Sequence, residues 1–371
     1  MGENGTAALQ GKQHFEVLDG LRGVAALFVV YFHFCEFIWP KYPDSPVGHG
    51  FLAVDFFFCL SGFVISYAYD DRMPKISIKR FFTNRLIRLH PLVVIGVLLG
   101  VLAYFFDPFG GEPLKEGAGK VIIAIVLSLF LIPAPALPDR FDNLFGLNAP
   151  AWSLFWEYVA NIVYALFLWR IRKNLLAVLV AISAVVLVYV SYRTTALNGG
   201  WGYTTFPDGL ARVSFSFMAG LLVRKLDLRL NSRLGFISLS ILLGAAFSFP
   251  FFPYDWLLEA IVVIFLFPLV VLLGAGTKVH GTIGSVCRFF GNISYPLYMT
   301  HYSTIWMFGF YFTEKNPGGW PLFWIIVTSM AGQILVAWLI MRFVDEPVRA
   351  WLTRRFRPAA KAGHRREAVS Q

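Results

Sequence analysis

Runs of about twenty apolar residues recur along the whole of this chain, and they constrain its fold more than any other feature. Of its 371 residues, 57% are hydrophobic and only 15% are charged, whereas about a quarter of the residues in a soluble domain are charged. A run of this length is what an α-helix needs to cross a bilayer, where every backbone polar group must be satisfied within the segment. The sequence therefore predicts an all-α, polytopic transmembrane helical bundle.

Ten apolar runs are long enough to be candidate spans. They cover residues 22–39, 51–69, 89–106, 152–169, 175–192, 207–223, 234–252, 256–274, 291–311 and 321–342. We predict one membrane domain over 17–345, between a cytoplasmic tail of residues 1–16 and a basic cytoplasmic tail of residues 346–371. The N-terminus carries no cleavable signal pattern, so we expect the first apolar helix to remain as an anchor.

An eleventh apolar run, 121–132, has only twelve residues and is followed by a proline-rich segment that breaks helices. If it does not cross, 25 of the 32 Lys and Arg residues lie on the cytoplasmic side with both termini, as the positive-inside rule requires. We therefore predict ten spans, with 107–151 as an outer excursion that is re-entrant near 121–132. Orientation also explains the net charge of +10, so we expect no nucleic acid partner.

Two ionisable residues, Arg22 and His33, interrupt the first apolar run. Eleven steps of about 100° come within about 20° of three whole turns, so the two side chains share one helix face about 16 Å apart. Ionisable groups within a bilayer usually mark a pathway or a reaction site. Glu36, one turn from His33, and Asp55, at a similar depth in the second span, would favour an imidazole that takes a proton from a hydroxyl. A purely structural pair that locks two helices together is the open alternative.

A basic loop before the third span ends with Arg85 and Arg88, which are three residues apart and therefore neighbours on one helix face. Two adjacent guanidinium groups can hold a phosphate bidentately. Together with Arg22, at the cytoplasmic end of its span, they predict an anion site that is reached from the cytoplasm. The alternatives are that these arginines only set the topology or contact anionic lipid headgroups.

Polar residues in later spans indicate an interior path. Ser153, Glu157 and Asn161 recur every four residues and so share one helix face, and Arg212 is available as a structural partner for Glu157. Other candidates for lining the path or an outward aromatic cavity are Ser61, Trp152, Trp156, Trp201 and His301.

For Ser61, next to Gly62, close packing of helices is the competing interpretation, and for His301 it is a satisfied core histidine. The sequence contains no nucleotide-binding glycine loop, no paired-cysteine motif and no metalloprotease or hydrolase motif. We expect no metal.

Five segments of the chain resemble, in order, the signatures of the acyltransferase-3 family. They are LDGLRGVAALFVVYFH, DFFFCLSGFVIS, RLIR, WSLFWE and ISYPLYMTH, within a resemblance that runs from about residue 15 to 350. Members of this family are multi-pass proteins of the bacterial inner membrane that O-acylate, most often O-acetylate, glycans and some small molecules. The resemblance implies that His33 is catalytic and that Arg85 and Arg88 serve the acyl-CoA donor. One departure is Asn148-Ala149-Pro150, where the family more often has Asn-Pro-Pro.

The residues and the resemblance predict one mechanism. Acetyl-CoA, or another acyl-CoA, is expected to bind as co-substrate at Arg22, Arg85 and Arg88, while a glycan or small hydroxyl acceptor enters from outside. His33 would then act as general base or as transient acyl carrier. Three carboxylates are candidates for orienting it: Asp55, Glu36 and Glu157.

Two other function classes remain open from the sequence. A proton-coupled solute transporter would use His33, Glu157, Arg212 and His301 as an intramembrane path. A non-catalytic assembly partner of glycan-export machinery would need none of this chemistry.

Overall fold

The computed structural model describes residues 14–356, except 116, 136, 138–139, 142, 229 and 231–233. Within this part of the chain the regular structure is helical, and the only strand-like pairing is one isolated bridge between Asn143 and Gly202. The all-α prediction is therefore confirmed. Of the two predicted tails, 1–16 and 346–371, residues 1–13 and 357–371 lie outside the described residues.

Thirteen α-helices follow one another along the described part of the chain. They are α1 (Glu16–Ile38), α2 (Ala53–Tyr69), α3 (Ile78–Phe106), α4 (Ala118–Leu129), α5 (Ala151–Leu166), α6 (Lys173–Thr194), α7 (Phe206–Lys225), α8 (Phe236–Ser248), α9 (Asp255–Ile261), α10 (Phe267–Gly276), α11 (Gly281–Lys315), α12 (Gly319–Ile340) and α13 (Glu346–Phe356). The π-helical segment Val262–Leu266 joins α9 to α10, and a second one, Met341–Asp345, joins α12 to α13.

Among the described residues, seven continuous helical stretches are long and apolar enough to cross a membrane. They are Glu16–Ile38, Gly50–Tyr69, Ile78–Phe106, Lys173–Thr194, Phe206–Lys225, Asp255–Gly276 and Gly319–Phe356. The helices α4 and α8 are apolar but shorter. These helices support a multi-pass membrane protein, while ten spans and cytoplasmic termini stay predictions.

Contacts between helix ends define two faces of the bundle. Asp70, just after α2, accepts a hydrogen bond from Tyr164 near the end of α5, and Arg288 near the start of α11 pairs with Glu16 at the start of α1. Tyr69 packs against Phe81 at the start of α3. We call this side the basic face, because the basic loop that precedes α3 lies on it.

The excursion between α3 and α5 starts and ends on the opposite face. Helix α4 packs back along α3, with Val121 and Ala124 in one apolar cluster with Val97. The chain then returns, since the guanidinium of Arg140 lies 5.5 Å from the ring centre of Tyr104 near the end of α3. This return agrees with the predicted excursion over 107–151.

Glycines let α2 and α7 cross with their backbones in contact. A Cβ atom on Gly62 would lie 2.0 Å from the carbonyl oxygen of Phe217, and one on Gly220 would lie 1.9 Å from that of Cys59. No side chain fits at either position, so the close approach predicted at Gly62 is confirmed. The crossing fixes the neighbouring Ser61 within the bundle.

Helices α1 and α11 both begin at the basic face and pack side by side. A Cβ atom on Gly23 of α1 would lie 2.7 Å from the carbonyl oxygen of Phe290, so these two backbones also touch. The face of α1 that carries the two ionisable residues is turned partly toward α11. It follows that α11 supplies the wall along which the candidate site is built.

Candidate functional site

Two cavities lie along this α1 face, and a thin partition separates them. We call the first the arginine cavity: it has a volume of about 130 Å³ and contains Arg22, Arg85 and Arg88 in its lining. The second, the histidine cavity, has a volume of about 490 Å³ and contains His33. Tyr298 and Val54 line both cavities and form the partition. Arg22 and His33 therefore line two adjoining cavities that meet at Tyr298 and Val54.

Arg22 is held in the arginine cavity by α11 and by its own helix. Its Nε donates to Oγ of Ser294 at 2.8 Å, and its Nη2 donates to the carbonyl oxygen of Gly291 at 2.7 Å. The same guanidinium lies 3.0 Å from a carboxylate oxygen of Asp19. These contacts fix a cation at the basic-face end of the α1 surface, where the sequence predicts an anion site.

Arg85 and Glu157 form an ion pair in the wall of the same cavity. Nη2 of Arg85 lies 2.9 Å from Oε1 of Glu157, and this oxygen also accepts a hydrogen bond from Ser61 at 2.9 Å. The predicted partner of Glu157 was Arg212, and this prediction is wrong because α3, not α7, faces the carboxylate. Glu157 also lies in the other chamber from His33, so it does not orient the imidazole.

Hydrogen bonding holds the partition in place. Oη of Tyr298 and Oγ of Ser153 lie 2.8 Å apart, and the Ser153 hydroxyl also lies 3.0 Å from the carbonyl oxygen of Pro150. The ring of Tyr298 meets the ring of Phe57 edge to face, with the ring centres 5.5 Å apart. Tyr298 was not predicted from the sequence, although this residue lies on one helix face with Ser294 and one turn before His301.

His33 and Glu36 form the charged dyad of the histidine cavity. Nδ1 of His33 lies 2.5 Å from Oε2 of Glu36, and both side chains are partly exposed to the cavity. A carboxylate in its ionised form can only accept a hydrogen bond from Nδ1, and in a neutral imidazole whose Nδ1 donates, Nε2 keeps its lone pair. The arrangement leaves His33 one nitrogen that can accept a proton or attack a carbonyl carbon.

A third group, Tyr42, completes this dyad and was not foreseen from the sequence. Its hydroxyl donates to the second carboxylate oxygen of Glu36 at 3.3 Å. Burial, followed by the Glu36 charge, raises the pKa of the Tyr42 phenol, so the hydroxyl stays protonated and remains a donor. Tyr42 follows the end of α1 in a short 3₁₀ turn, and no periodic pattern in the sequence marks it.

The ring of His301 stacks on the imidazole of His33, but His301 lines neither cavity. Their ring centres lie 5.4 Å apart at an interplanar angle of 24°, and Nδ1 of the buried His301 donates to the carbonyl oxygen of Tyr298 at 2.8 Å. The structure places His301 in the wall between α1 and α11 rather than on the path for which it was a candidate. Tyr302 closes the other side of His33 with an edge-to-face contact at 4.8 Å.

Ten of the 23 residues that line the histidine cavity are Phe, Tyr or Trp. Trp152 and Trp201 line it as predicted, and Trp306 and Phe141 join them with stacked rings whose centres are 5.8 Å apart. Trp156, predicted to line the same cavity, packs instead against Phe206. Flat aromatic walls of this kind bury the apolar faces of ring-shaped ligands.

Asp55 lies in the closed core between α2 and α7. Arg212 donates to its carboxylate through Nε and Nη2, at 3.1 and 2.7 Å, and to the carbonyl oxygens of Phe51 and Gly199. Asp55 and Arg212 are 0% and 1% exposed. The expectation that Asp55 orients His33 is therefore not met, since the carboxylate is paired with Arg212 and is fully buried.

The four residues predicted for a transporter path do not line one common cavity. His33 and Arg212 line the histidine cavity, Glu157 lines the arginine cavity, and His301 is in the lining of neither. Within the described residues, no group of three or more His, Cys, Asp or Glu side chains could hold a metal ion.

Comparisons with known proteins place the chain in a family. The family model described as an acyltransferase domain matches residues 15–342. Protein 2 in the picA locus of Rhizobium radiobacter is 38% identical over 186 residues, which are 47% of this chain and 94% of that protein. Peptidoglycan O-acetyltransferase OatA of Listeria monocytogenes serovar 1/2a is 25% identical over 369 residues, 91% of this chain, and the match spans 56% of the relative.

Acyltransferase MdmB of Streptomyces mycarofaciens is 32% identical over 165 residues, 42% of this chain and 40% of the relative. The chain thus spans about half or less of the length of the two relatives that are named for an acyl-transfer activity. No solved structure matches it.

Proposed function

This chain belongs to the acyltransferase family that its sequence matches over residues 15–342, and from this premise we propose that it transfers an acyl group from acyl-CoA to a hydroxyl of an extracytoplasmic glycan or related acceptor. Acetyl is the first acyl group to test. The observation that carries the proposal is the His33–Glu36 dyad in an aromatic cavity, aligned along α1 with a second cavity that contains three arginines. The first chamber suits an acceptor and the second suits a polyanionic donor.

The donor assignment rests on charge. Arg22, Arg85 and Arg88 line one small cavity near the basic face, and guanidinium groups bind phosphates through several hydrogen bonds at once. If the positive-inside rule holds for this chain, the basic face is cytoplasmic, which is where acyl-CoA is made. A relative named as a peptidoglycan O-acetyltransferase supports an outward-facing glycan as acceptor.

Two routes are open at His33. In the first, Nε2 removes the proton from the acceptor hydroxyl while its oxygen attacks the thioester carbonyl, and the sulfur leaves and takes up that proton as CoA-SH. In the second, Nε2 itself attacks the carbonyl carbon and CoA leaves as its thiolate, which takes a proton from water; the acceptor oxygen then displaces the imidazole from the acyl group, and its hydroxyl proton is released to water. In both routes Glu36 holds the imidazole and stabilises its positive charge.

The partition sets a condition on both routes. A thioester that enters from the arginine cavity must pass Tyr298 and Val54, which line both cavities, to reach His33. The hydrogen bond between Tyr298 and Ser153 holds the closed position, and its loss would accompany entry of the pantetheine arm. A closed partition without donor also keeps the two sides of the membrane separate.

The decisive experiment is His33→Ala in the purified full chain, assayed with radiolabelled acetyl-CoA and a glycan acceptor. Loss of a general base or nucleophile lowers transfer by about 10²–10⁴-fold, while binding of CoA should be unchanged because the arginine cavity is intact. His280→Ala, at an exposed histidine that caps α11, is the matched control. Undiminished transfer by His33→Ala would reject the proposal.

A quench without acceptor separates the two routes. Label that stays on the wild-type protein but not on His33→Ala would indicate the acyl carrier, whereas transfer without any labelled protein would indicate the general base. A dependence on ion gradients with no requirement for acyl-CoA would instead favour the transporter hypothesis.

A further inference from the structure

A groove on the basic face continues the arginine cavity toward the outside of the bundle. It has a volume of about 600 Å³ and lies between the start of α3 and helix α13. Arg88 lines both the groove and the arginine cavity, so the two spaces meet at this side chain. Other lining residues are Asn84, Ile87, Arg349, Thr353 and Arg354.

The arginine cavity and the groove differ in size, so each can hold a different part of a donor such as acyl-CoA. Pockets that enclose a drug-sized ligand usually have volumes of roughly 300–1,000 Å³, so the arginine cavity, at about 130 Å³, is too small for a nucleotide. It can take part of the thin pantetheine arm. The diphosphate can then stay within reach of the arginines at the mouth of the cavity, while the adenosine part with its 3′-phosphate must remain outside Arg88, which is where the groove lies.

The charges along the groove favour phosphate. Arg354 is exposed, and its only hydrogen bond within the described residues is a long one, 3.4 Å, from Nε to the carbonyl oxygen of Ala350. Arg349 uses one nitrogen to pair with Asp345 at 3.0 Å and keeps other N–H groups for a ligand. The one carboxylate in the groove lining, Glu346, is 2.9 Å from Arg342, so the groove keeps a net positive charge.

The helix geometry also directs α13 toward α3. The π-helical segment Met341–Asp345 inserts one extra residue per turn just before α13. Ala350 and Arg354 are four residues apart, as are Arg349 and Thr353, so both pairs lie along the side of α13 that lines the groove. Such π segments occur frequently at functional sites.

We propose that this groove binds the phosphorylated nucleotide part of the acyl-CoA donor, with Arg354 and Arg349 as phosphate ligands on the outer side of Arg88. The inference rests on the proposed function and adds two donor-binding residues to it. The same phosphate chemistry is offered by anionic lipid headgroups at a membrane surface, so the test must distinguish a nucleotide from a lipid.

The test is titration calorimetry of the purified full chain, in detergent free of anionic lipid, with CoA, pantetheine and a soluble short-chain phosphatidylglycerol. Arg354→Ala should weaken CoA binding by about tenfold, the value of one hydrogen bond to a charged group, and leave pantetheine binding unchanged. Arg355→Ala removes the same charge from a neighbouring exposed position that does not line the groove and should have no effect. Arg349→Ala is a second variant only, because it leaves the buried Asp345 without its partner.

Three other outcomes of the calorimetry would each overturn a different part of the proposal. Equal CoA affinity in wild type and Arg354→Ala would overturn the groove while leaving the donor assignment intact. Loss of affinity for phosphatidylglycerol, with CoA binding unchanged, would make the groove a lipid headgroup site. No binding of CoA to the wild type would overturn the donor assignment itself and the groove with it.

Discussion

Two arginine–carboxylate pairs stand in neighbouring parts of this bundle, and their surroundings differ. Arg212 and Asp55 are 1% and 0% exposed, and the guanidinium also satisfies two backbone carbonyl oxygens. Arg85 and Glu157 are 8% and 21% exposed and share a single contact of 2.9 Å in the wall of the arginine cavity. Arg212 lines the histidine cavity and Arg85 lines the arginine cavity, but only in the second pair does the carboxylate also line a cavity.

The difference indicates which pair can exchange partners. Nε of Arg85 is buried and, among the described residues, has no hydrogen-bond partner, so this guanidinium can still bind an incoming anion. Asp55, Phe51 and Gly199 take four of the five N–H groups of Arg212, and removing its carboxylate would leave an unpaired charge that is almost fully buried. We infer that the Arg212 pair stabilises the fold and that the Arg85 pair serves the reaction.

The largest effect is expected for Asp55→Asn. The amide NH₂ would face the guanidinium donors of Arg212, and breaking a buried pair costs about 3–5 kcal/mol. Thermal unfolding in detergent measures this loss. Adding Arg212→Gln removes the stranded charge and should restore part of the stability. A stable but inactive Asp55→Asn protein would break the comparison, because it would give Asp55 a chemical role.

Glu157→Gln is the matched change in the other pair. The glutamine keeps the shape of the side chain and an oxygen that accepts from Ser61. Because the pair is partly exposed, the substitution should change the free energy of unfolding by less than about 1 kcal/mol. Transfer should nevertheless fall by about tenfold, since Arg85 loses the charged acceptor that orients it. The measurements are unfolding and acetyl transfer on one preparation. A large loss of stability with full specific activity would contradict the division between the two pairs.

Tyr42→Phe extends the comparison to the third carboxylate, Glu36, and should have the smallest effect. Only one long hydrogen bond of 3.3 Å is lost, so we expect about a threefold decrease in kcat, with the donor KM unchanged. Steady-state kinetics with varied acetyl-CoA measure both values. Tyr203→Phe is the control, because this tyrosine is 70% exposed. A rise in donor KM would show that Tyr42 acts on the other chamber.

Local patterns in the sequence were sufficient for the helices and for one face of the site. Apolar runs mark helices, and a separation of eleven residues fixes Arg22 and His33 on one side of α1, since both follow from the geometry of a single helix. Glu36 is within one turn of His33 for the same reason. The crossing at Gly62 was also within reach, because a glycine next to a serine in an apolar helix favours close packing.

Contacts between segments that are distant in the sequence could not be predicted from it. Tyr42 lies in a turn that no periodicity marks, and Trp156 and Trp152 differ in surroundings although they are one turn apart. The partition at Tyr298 exists only because α11 packs on α1 while α5 brings Ser153 to the same point. Side-chain type alone gives no information on which of two chambers a residue faces.

The amino-acid sequence by itself determined the all-helical, membrane-type architecture and the shared face of Arg22 and His33, because both depend on backbone periodicity and side-chain transfer free energies within one segment. The tertiary structure decided which cation each carboxylate meets. Arg85 and Glu157 are 72 residues apart and Arg212 and Asp55 are 157 apart, so the packing of the helices, and no local rule, made the first pair part of a cavity and the second part of the core.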